Sequence, residues 1–318
     1  MELTKDRKKV KLPKEISVLI AYVALVVIFS ILSPHFLTMR NIMNIFLFTA
    51  VIGICATGMT MVIISGGLDI SVGSMVGLTG MVAGLVVTTT ENVLLAVFLG
   101  LLTGFLCGTI NGLVITRLKI VPIIATLAFM SIYRGTAMLT TNGHSRIITT
   151  EGFMVIGRGY LIDLIPYCVI LMFIIFILGG YVLKYTPFGR KIYSIGGNAE
   201  ASRLAGINVR NTRLAVYMIC GTLTGLSGIL TASQTGVSIP SAGVGLEMDV
   251  IGSVVLGGVS ITGGKGGIIG TLLGVMILAT LANGLTLLGV QSFWQIIAKG
   301  IVLIIAVFID VARGGGYE

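Results

Sequence analysis

Few side chains in this chain could do chemistry, and most of those stand beside long apolar blocks. Among the twelve acids in 318 residues, Asp69, Glu247 and Asp249 stand out beside such blocks. Asp69 belongs to GGLDISVGS (66–74), where two glycines, the aspartate and two serines interrupt the apolar run. A charged group at bilayer depth costs about 2.5–3.5 kcal/mol on the insertion scale, so Asp69 must face protein or water. Two arrangements satisfy that. Asp69 caps the helix that follows at Ile70–Ser71, or it borders a broken helix whose freed backbone groups line a cavity. Glu247 and Asp249 are expected at an outer mouth, ahead of a short apolar span that they could cap. Arg134 and Lys299 fall in the outer parts of their spans. Their long stems can snorkel, or they can pair with Glu247 or Asp249 and hold an outer gate. Asp69, Ser71, Asn111, Arg134, Glu247, Asp249, Asn283 and Lys299 are therefore the candidates for a path or gate through the membrane.

What is missing narrows the chemistry further. There is no paired-carboxylate or Ser/His/Asp constellation, and His35 and His144 read as surface residues of turns. GGKGG at 263–267 has no hydroxyl after Lys265 and lacks the glycine spacing of a phosphate-binding loop. The chain is thus not expected to hydrolyse ATP itself, and any power must come from a partner. Cys55, Cys107, Cys168 and Cys220 are scattered singly, without metal or redox spacing, and read as inert packing. No metal site and no resident cofactor are expected.

The elements that must position these residues are set by composition. The chain is 55 % hydrophobic and only 10 % charged, with a mean hydropathy of +1.06, whereas soluble domains carry about 25 % charged residues. That excludes a cytosolic enzyme, a disordered chain, a coiled coil and a disulfide-stapled secreted domain. An all-α polytopic membrane protein remains, since barrel strands would alternate in short segments. Uncharged stretches place ten spans near 16–33, 46–66, 70–88, 93–116, 121–140, 164–183, 214–234, 248–262, 267–288 and 293–312. The eighth is too short for a core about 30 Å thick, and is either longer than drawn or a half-helix.

The formal charge of +9 is not a nucleic-acid footprint. Lys5, Arg7, Lys8, Lys9, Lys11 and Lys14 precede the first apolar block, which lacks a small-residue cleavage site and reads as an uncleaved span. With ten crossings, sixteen basic residues fall on that same side and three, Arg40, Arg146 and Arg158, on the other. Such an asymmetry places both termini in the cytoplasm. Asp69 with Asn111-Gly112-Leu113 recurs weakly as Asp249 with Asn283-Gly284-Leu285. Spans two to five and seven to ten then run in opposite senses, an inverted-repeat plan. The whole of 1–318 reads as one transmembrane domain, with a basic tail at 1–15 and a long inside loop at 184–213.

That loop holds a short helix. Asn198 is its N-cap, Glu200 lies in its first turn and Gly206 ends it. Ala201, Leu204 and Ala205 share one face, with Ser202 and Arg203 turned away. Such a helix suits docking into a groove of a soluble partner, and equally suits resting on lipid headgroups beside Arg190, Lys191, Arg210 and Arg213.

Glu200-Ala201-Ser202 followed by Gly206 resembles the E-A-A-x-x-x-G coupling motif of ATP-binding-cassette importer permeases, with Ser for the second Ala. GGLDISVGS (66–74), PIIATLAFMSIYRG (122–135), FGRKIYSIGGNAEASRLAGINV (188–209), GLEMDVIGSVVLGGVSITGGKGGIIGTLLG (245–274) and NGLTLLGVQSFWQIIAKGIVLIIAVFID (283–310) resemble the permeases of ribose, xylose and galactose importers. The resemblance runs nearly the whole chain in order. It implies a dimer, of two copies or of this chain with a paralogue. It also implies a cytoplasmic ATP-binding subunit that carries ATP and Mg, and an extracytoplasmic sugar-binding protein. Asn198, Glu200, Ala201, Ser202, Ala205 and Gly206 would then touch the ATPase, and the protein would lie in the bacterial plasma (inner) membrane. Two other readings stay open: an ion-coupled secondary transporter with Asp69 as its site, and an importer permease for nucleosides or branched-chain amino acids. Single cysteines at positions 117, 198 and 313 should label from the cytoplasm, and one at 144 from outside. External labelling of the 184–213 segment in intact cells would break this topology.

Overall fold

The computed structural model describes residues 14–162 and 164–310. The basic tail, with Lys5, Arg7, Lys8, Lys9 and Lys11, lies outside the described residues, as does Arg313. The described chain is almost wholly helical: α1 (Lys14–Leu32), α2 (Met39–Ile64), α3 (Val72–Thr90), α4 (Val93–Arg117), α5 (Pro122–Leu139), α6 (Glu151–Arg158), α7 (Tyr167–Tyr185), α8 (Pro187–Gly197), α9 (Ala199–Leu204), α10 (Val209–Thr235), α11 (Leu246–Leu256), α12 (Ile268–Leu287) and α13 (Ser292–Asp310). Seven of these, α2, α3, α4, α5, α7, α10 and α12, are long and apolar enough to cross a membrane. α1 and α13 contribute shorter apolar stretches at Ile16–Leu32 and Ser292–Ile305. Only two-residue strands interrupt the helices. β1 (Arg146–Ile147) pairs with β4 (Val237–Ser238), and β2 (Tyr160–Leu161) with β3 (Ile165–Pro166), both antiparallel.

α2 runs through the middle of the bundle, buried from Ala50 to Ile64 apart from Val51. α10 lies against α4 along a small-residue seam. A Cβ on Gly108 would stand 3.0 Å from the Gly221 Cα, and one on Gly225 would stand 3.1 Å from the Gly100 carbonyl oxygen. In lipid there is no hydrophobic drive between helices, so such backbone approach is what holds them. Thr60 Oγ1 meets Thr271 Oγ1 at 2.7 Å and joins α2 to α12.

The stretch expected to form the short eighth span coils only over α11. α11 has 11 residues, or roughly 16 Å at 1.5 Å per residue. Residues 236–245 are not helical, and they run back along α3. Ser238 lies against Gly84, Pro240 and Ala242 against Gly77, and Gly243 against Gly73. The chain thus re-enters the bundle and coils into α11 only at the level of Gly73. Val76, one turn on, lies level with Gly228 of α10, and Leu68 accepts a bond from Tyr217 of that helix. Gly73 is therefore about halfway along α10.

This corrects the expected placing of Glu247 and Asp249. They stand in the first turn of α11, about halfway through the bundle, rather than ahead of it at an outer mouth. Nor do they cap it. The N-cap is Gly245, at φ +83°, and no side chain closes that end. Replacing Gly108 by Val should force α4 from α10, since overpacking costs about 1–3 kcal/mol. A fall of roughly 5 °C in the apparent Tm of the detergent-purified protein is expected, and an unchanged Tm would mean that the seam is not tight.

Candidate functional site

Three groups of polar contacts surround the re-entrant backbone. In the first, Asp69 is wholly buried. Its Oδ1 accepts from Ser71 N at 2.9 Å and Ser71 Oγ at 2.6 Å, and its Oδ2 from Asn111 Nδ2 at 3.0 Å. Asn111 Nδ2 also donates to Ser71 Oγ at 2.9 Å, and its Oδ1 accepts from Tyr133 OH at 2.8 Å. Asp69 does bond a backbone N–H just ahead of α3, as a cap would. Its main work is to tie the start of α3 to α4 and α5. Because the side-chain hydroxyl, amide and backbone amide all converge on it, the carboxylate keeps its hydrogen bonds out of water.

In the second group, Arg134 Nη1 donates to the carbonyl oxygens of Pro240 and Ala242, at 2.7 Å each. α5 thereby grips the segment leading into α11. Pairing of Arg134 with Glu247 is not found among the described residues: Glu247 lies half-buried over Gly73, and the arginine bonds carbonyls instead.

In the third, Lys299 Nζ reaches both oxygens of Asp249, at 2.8 and 2.9 Å, with the side chains 21 % and 18 % exposed. This is one of the acid–base pairings left open by the sequence, located between α11 and α13 rather than at a mouth. Asn283 does not join it. It exchanges two bonds of 2.9 Å with Asn41 on α2, so the second copy of the weak repeat does not reproduce the Asp–Asn contact of the first.

At one end of the bundle, α8 and α9 form a platform. Asn198 Oδ1 accepts from Ala201 N at 2.9 Å, and Gly206 ends the helix at φ +83°. Glu200 pairs with Arg203 at 2.6 Å on the exposed side. Ser202 is buried and meets Ser194 of α8 at 2.9 Å. Ala201, Leu204 and Ala205 point outward, Leu204 at 79 % exposure. α8 in turn abuts the 257–267 turn that follows α11. Gly264 N donates to Ile64 O at 2.9 Å, and Tyr193 OH donates to Gly266 O at 2.8 Å. Burial pushes the Tyr193 phenol up from its ordinary pKa, so it stays a donor. A Cβ on Gly196 would strike the Ile64 carbonyl, and only glycine lets α2, α8 and this turn meet.

Several of these residues were not singled out from the sequence. α8 went unassigned, although Pro187 at its first turn and Thr186 Oγ1, which accepts from Gly189 N at 3.1 Å, are a readable start signal. Tyr133 and Tyr193 act through hydroxyls whose partners are distant in sequence, which no local pattern announces.

The chain matches the family described as branched-chain amino acid transport system / permease component over residues 41–307. It is 44 % identical over 289 residues to the ribose import permease protein RbsC of Bacillus subtilis (strain 168), covering 90 % of this chain and 89 % of that one. It is 37 % identical over 296 residues to the L-arabinose ABC transporter permease protein AraH of Azospirillum brasilense, covering 93 % and 87 %. It is 35 % identical over 338 aligned positions to the xylose transport system permease protein XylH of Escherichia coli (strain K12), covering 87 % and 86 %. No solved structure matches it. The Asp249–Lys299 contact generates a direct test. Asp249→Asn and Lys299→Met should each lower the apparent Tm and uptake, and the double variant should fall short of their sum by about 0.5–3 kcal/mol. Strict additivity would show that the pair does not couple.

Proposed function

The chain belongs to the branched-chain amino acid transport system / permease component family, and we propose that it is the membrane permease of a ribose-type sugar importer powered by ATP. The observation that carries this is its likeness, along nearly its full length, to ribose import permeases. The second reading, an ion-coupled carrier, needs an open ionisable site at mid-membrane. Asp69 does not supply one, because its oxygens are taken up by Ser71 and Asn111.

In this reading ten segments cross the membrane, α11 as a half-helix, with both termini cytoplasmic. Spans two to five and seven to ten are inverted repeats, and 1–318 is one permease domain. The platform of α8 and α9 then faces the cytoplasm. A separate subunit binds ATP and Mg, a sugar-binding protein delivers the solute from outside, and the permease works as a dimer. The modest polar lining suits a neutral sugar, because specificity lies with the binding protein.

The geometry supports a route for the work. Ala201, Leu204 and Ala205 offer α9 to the ATPase, with Asn198, Glu200, Ser202 and Gly206 shaping that helix. Force on α9 passes through the Ser202–Ser194 contact to α8. α8 bears on the 257–267 turn through Tyr193 and Gly196, and the turn leads straight into the base of α11. At its other end α11 is held by Lys299 on Asp249 and by Arg134 on its leading strand. Those two contacts, with Glu247, form the gate, which opens as α11 shifts against α3.

Ala201→Trp should abolish uptake into proteoliposomes while leaving the permease inserted. Tyr193→Phe should leave ATPase binding intact and lower transport per ATP by about fivefold, the worth of one hydrogen bond of roughly 1 kcal/mol. Uptake by this chain alone, driven by an ion gradient, would overturn the assignment. Wild-type uptake in Ala201→Trp would move the coupling role to the loop at Arg117–Lys119.

A further inference from the structure

The segment that re-enters the bundle leaves one acid unmatched. Glu247, in the first turn of α11, is half-buried, and a Cβ on Gly73 would strike its Oε2. Among the described residues neither of its oxygens accepts a hydrogen bond, no cation stands within 4 Å, and neither oxygen is sealed from solvent. Arg134 stands over the same face of α3, one turn on, where a Cβ on Gly77 would come within 2.6 Å of Nη1. Positions four apart on a helix face are about 5–6 Å from each other, so acid and base are close without pairing. Arg134 spends Nη1 on Pro240 O and Ala242 O, and its Nε and Nη2 have no partner among the described residues.

Beside this acid Val244 and Met248 are 72 % and 60 % exposed, and Ser241 and Gly245 are exposed as well. They lie about halfway through the bundle, and residues 241–245 are not helical. Such backbone at membrane depth is tolerated only inside protein or along a water-filled cavity. A dry cover would strand the Glu247 carboxylate, to which this chain offers no cation within 4 Å among its described residues. The 241–248 surface is therefore the wall of a wet path, and its chemistry selects a solute. A carboxylate accepts from hydroxyls and a guanidinium donates to them, so one molecule bearing several hydroxyls uses both at once. An anion would be repelled by Glu247, and an amine by Arg134. Val244 and Met248 supply the apolar contact for the C–H face of such a molecule, the usual pairing of few polar groups with an apolar wall. We infer that Glu247 and Arg134, with Met248 beside them, form a weak binding step for a monosaccharide on its way through the membrane. The inference rests on the sugar-importer reading and names the groups that hold its solute.

The test is protection from labelling, on the permease assembled with its ATPase in proteoliposomes, without nucleotide and without the binding protein. Met248→Cys reports on the wall, since the four native cysteines are buried. A few hydrogen bonds support a Kd of about 10 mM. D-ribose at about 100 mM should then slow modification by a membrane-impermeant thiol reagent about tenfold, the ratio of free to total sites. Leucine at the same concentration should not. In the same background Glu247→Ala should abolish the protection. Glu247→Gln keeps one acceptor of two and should weaken ribose binding about fivefold, as a hydrogen bond to a charge becomes one to a neutral group. Should Glu247→Ala fail to assemble, Glu247→Gln carries the test. No protection by ribose, in a complex that imports it once the binding protein is added, would overturn the inference and leave the importer standing. So would full protection in both Glu247 variants, or loss of the permease dimer in both, which would make Glu247 an interface group. Protection by leucine in place of ribose would overturn it and the sugar reading together. Failure of the complete system to import ribose would overturn the sugar reading alone, because protection is read without transport.

Discussion

Backbone that is not helical is tolerated inside a bilayer only where it is buried in protein, which must supply its hydrogen bonds, or where it lines a water-filled cavity. Two stretches of this chain face that demand, residues 66–71 ahead of α3 and residues 236–245 ahead of α11. The first is answered by Tyr217, whose hydroxyl reaches Leu68 O at 3.1 Å, and by the Asp69–Ser71–Asn111 cluster. The second is answered by Arg134 on Pro240 and Ala242, while Ser238 Oγ donates in turn to Gly80 O at 3.1 Å. These bonds allow helices to begin in the middle of the bundle. Without them α11 would have to be a full span, and Glu247 and Asp249 would stand at a surface.

A half-helix has one free end at mid-depth and one at the platform, so on the proposed coupling route a push at the platform would be delivered to its mid-depth end. That is why the glycine contact of Gly196 with the Ile64 carbonyl matters. Without side chains between them, α2, α8 and the turn below α11 meet backbone to backbone and transmit displacement with little slack. The seam between α4 and α10 does the opposite work. It is close-packed on both sides, as a fixed frame for the proposed shift of α11 would need to be.

Much of this was legible in the sequence, and for a physical reason. Apolar runs of eighteen residues or more have one stable form in lipid, so the seven long helices were readable from composition. The cap at Asn198 and the stop at Gly206 are local signals, and the structure bears out both. The half-helix was one of two readings of a stretch too short to span. Depth was not legible. Glu247 and Asp249 were misplaced because the path of residues 236–245 is set by Arg134, more than a hundred residues earlier. Asn283 meets Asn41 across 242 positions, a separation at which pattern is silent. Asp249 was one of the two partners left open for Lys299, and the structure selects it, since charge complementarity survives an error in depth.

The central claim is that α11 moves when the platform is driven. Met248, 60 % exposed in the first turn of α11, reports this directly when replaced by cysteine, since the four native cysteines are buried. The measurement is the rate at which Met248→Cys reacts with a membrane-impermeant thiol reagent in proteoliposomes. It is made with the partner ATPase nucleotide-free and again trapped with nucleotide. The account predicts rates that differ by about tenfold, the equivalent of roughly 1.4 kcal/mol in accessibility. Identical rates in a transporter that still imports sugar would contradict it.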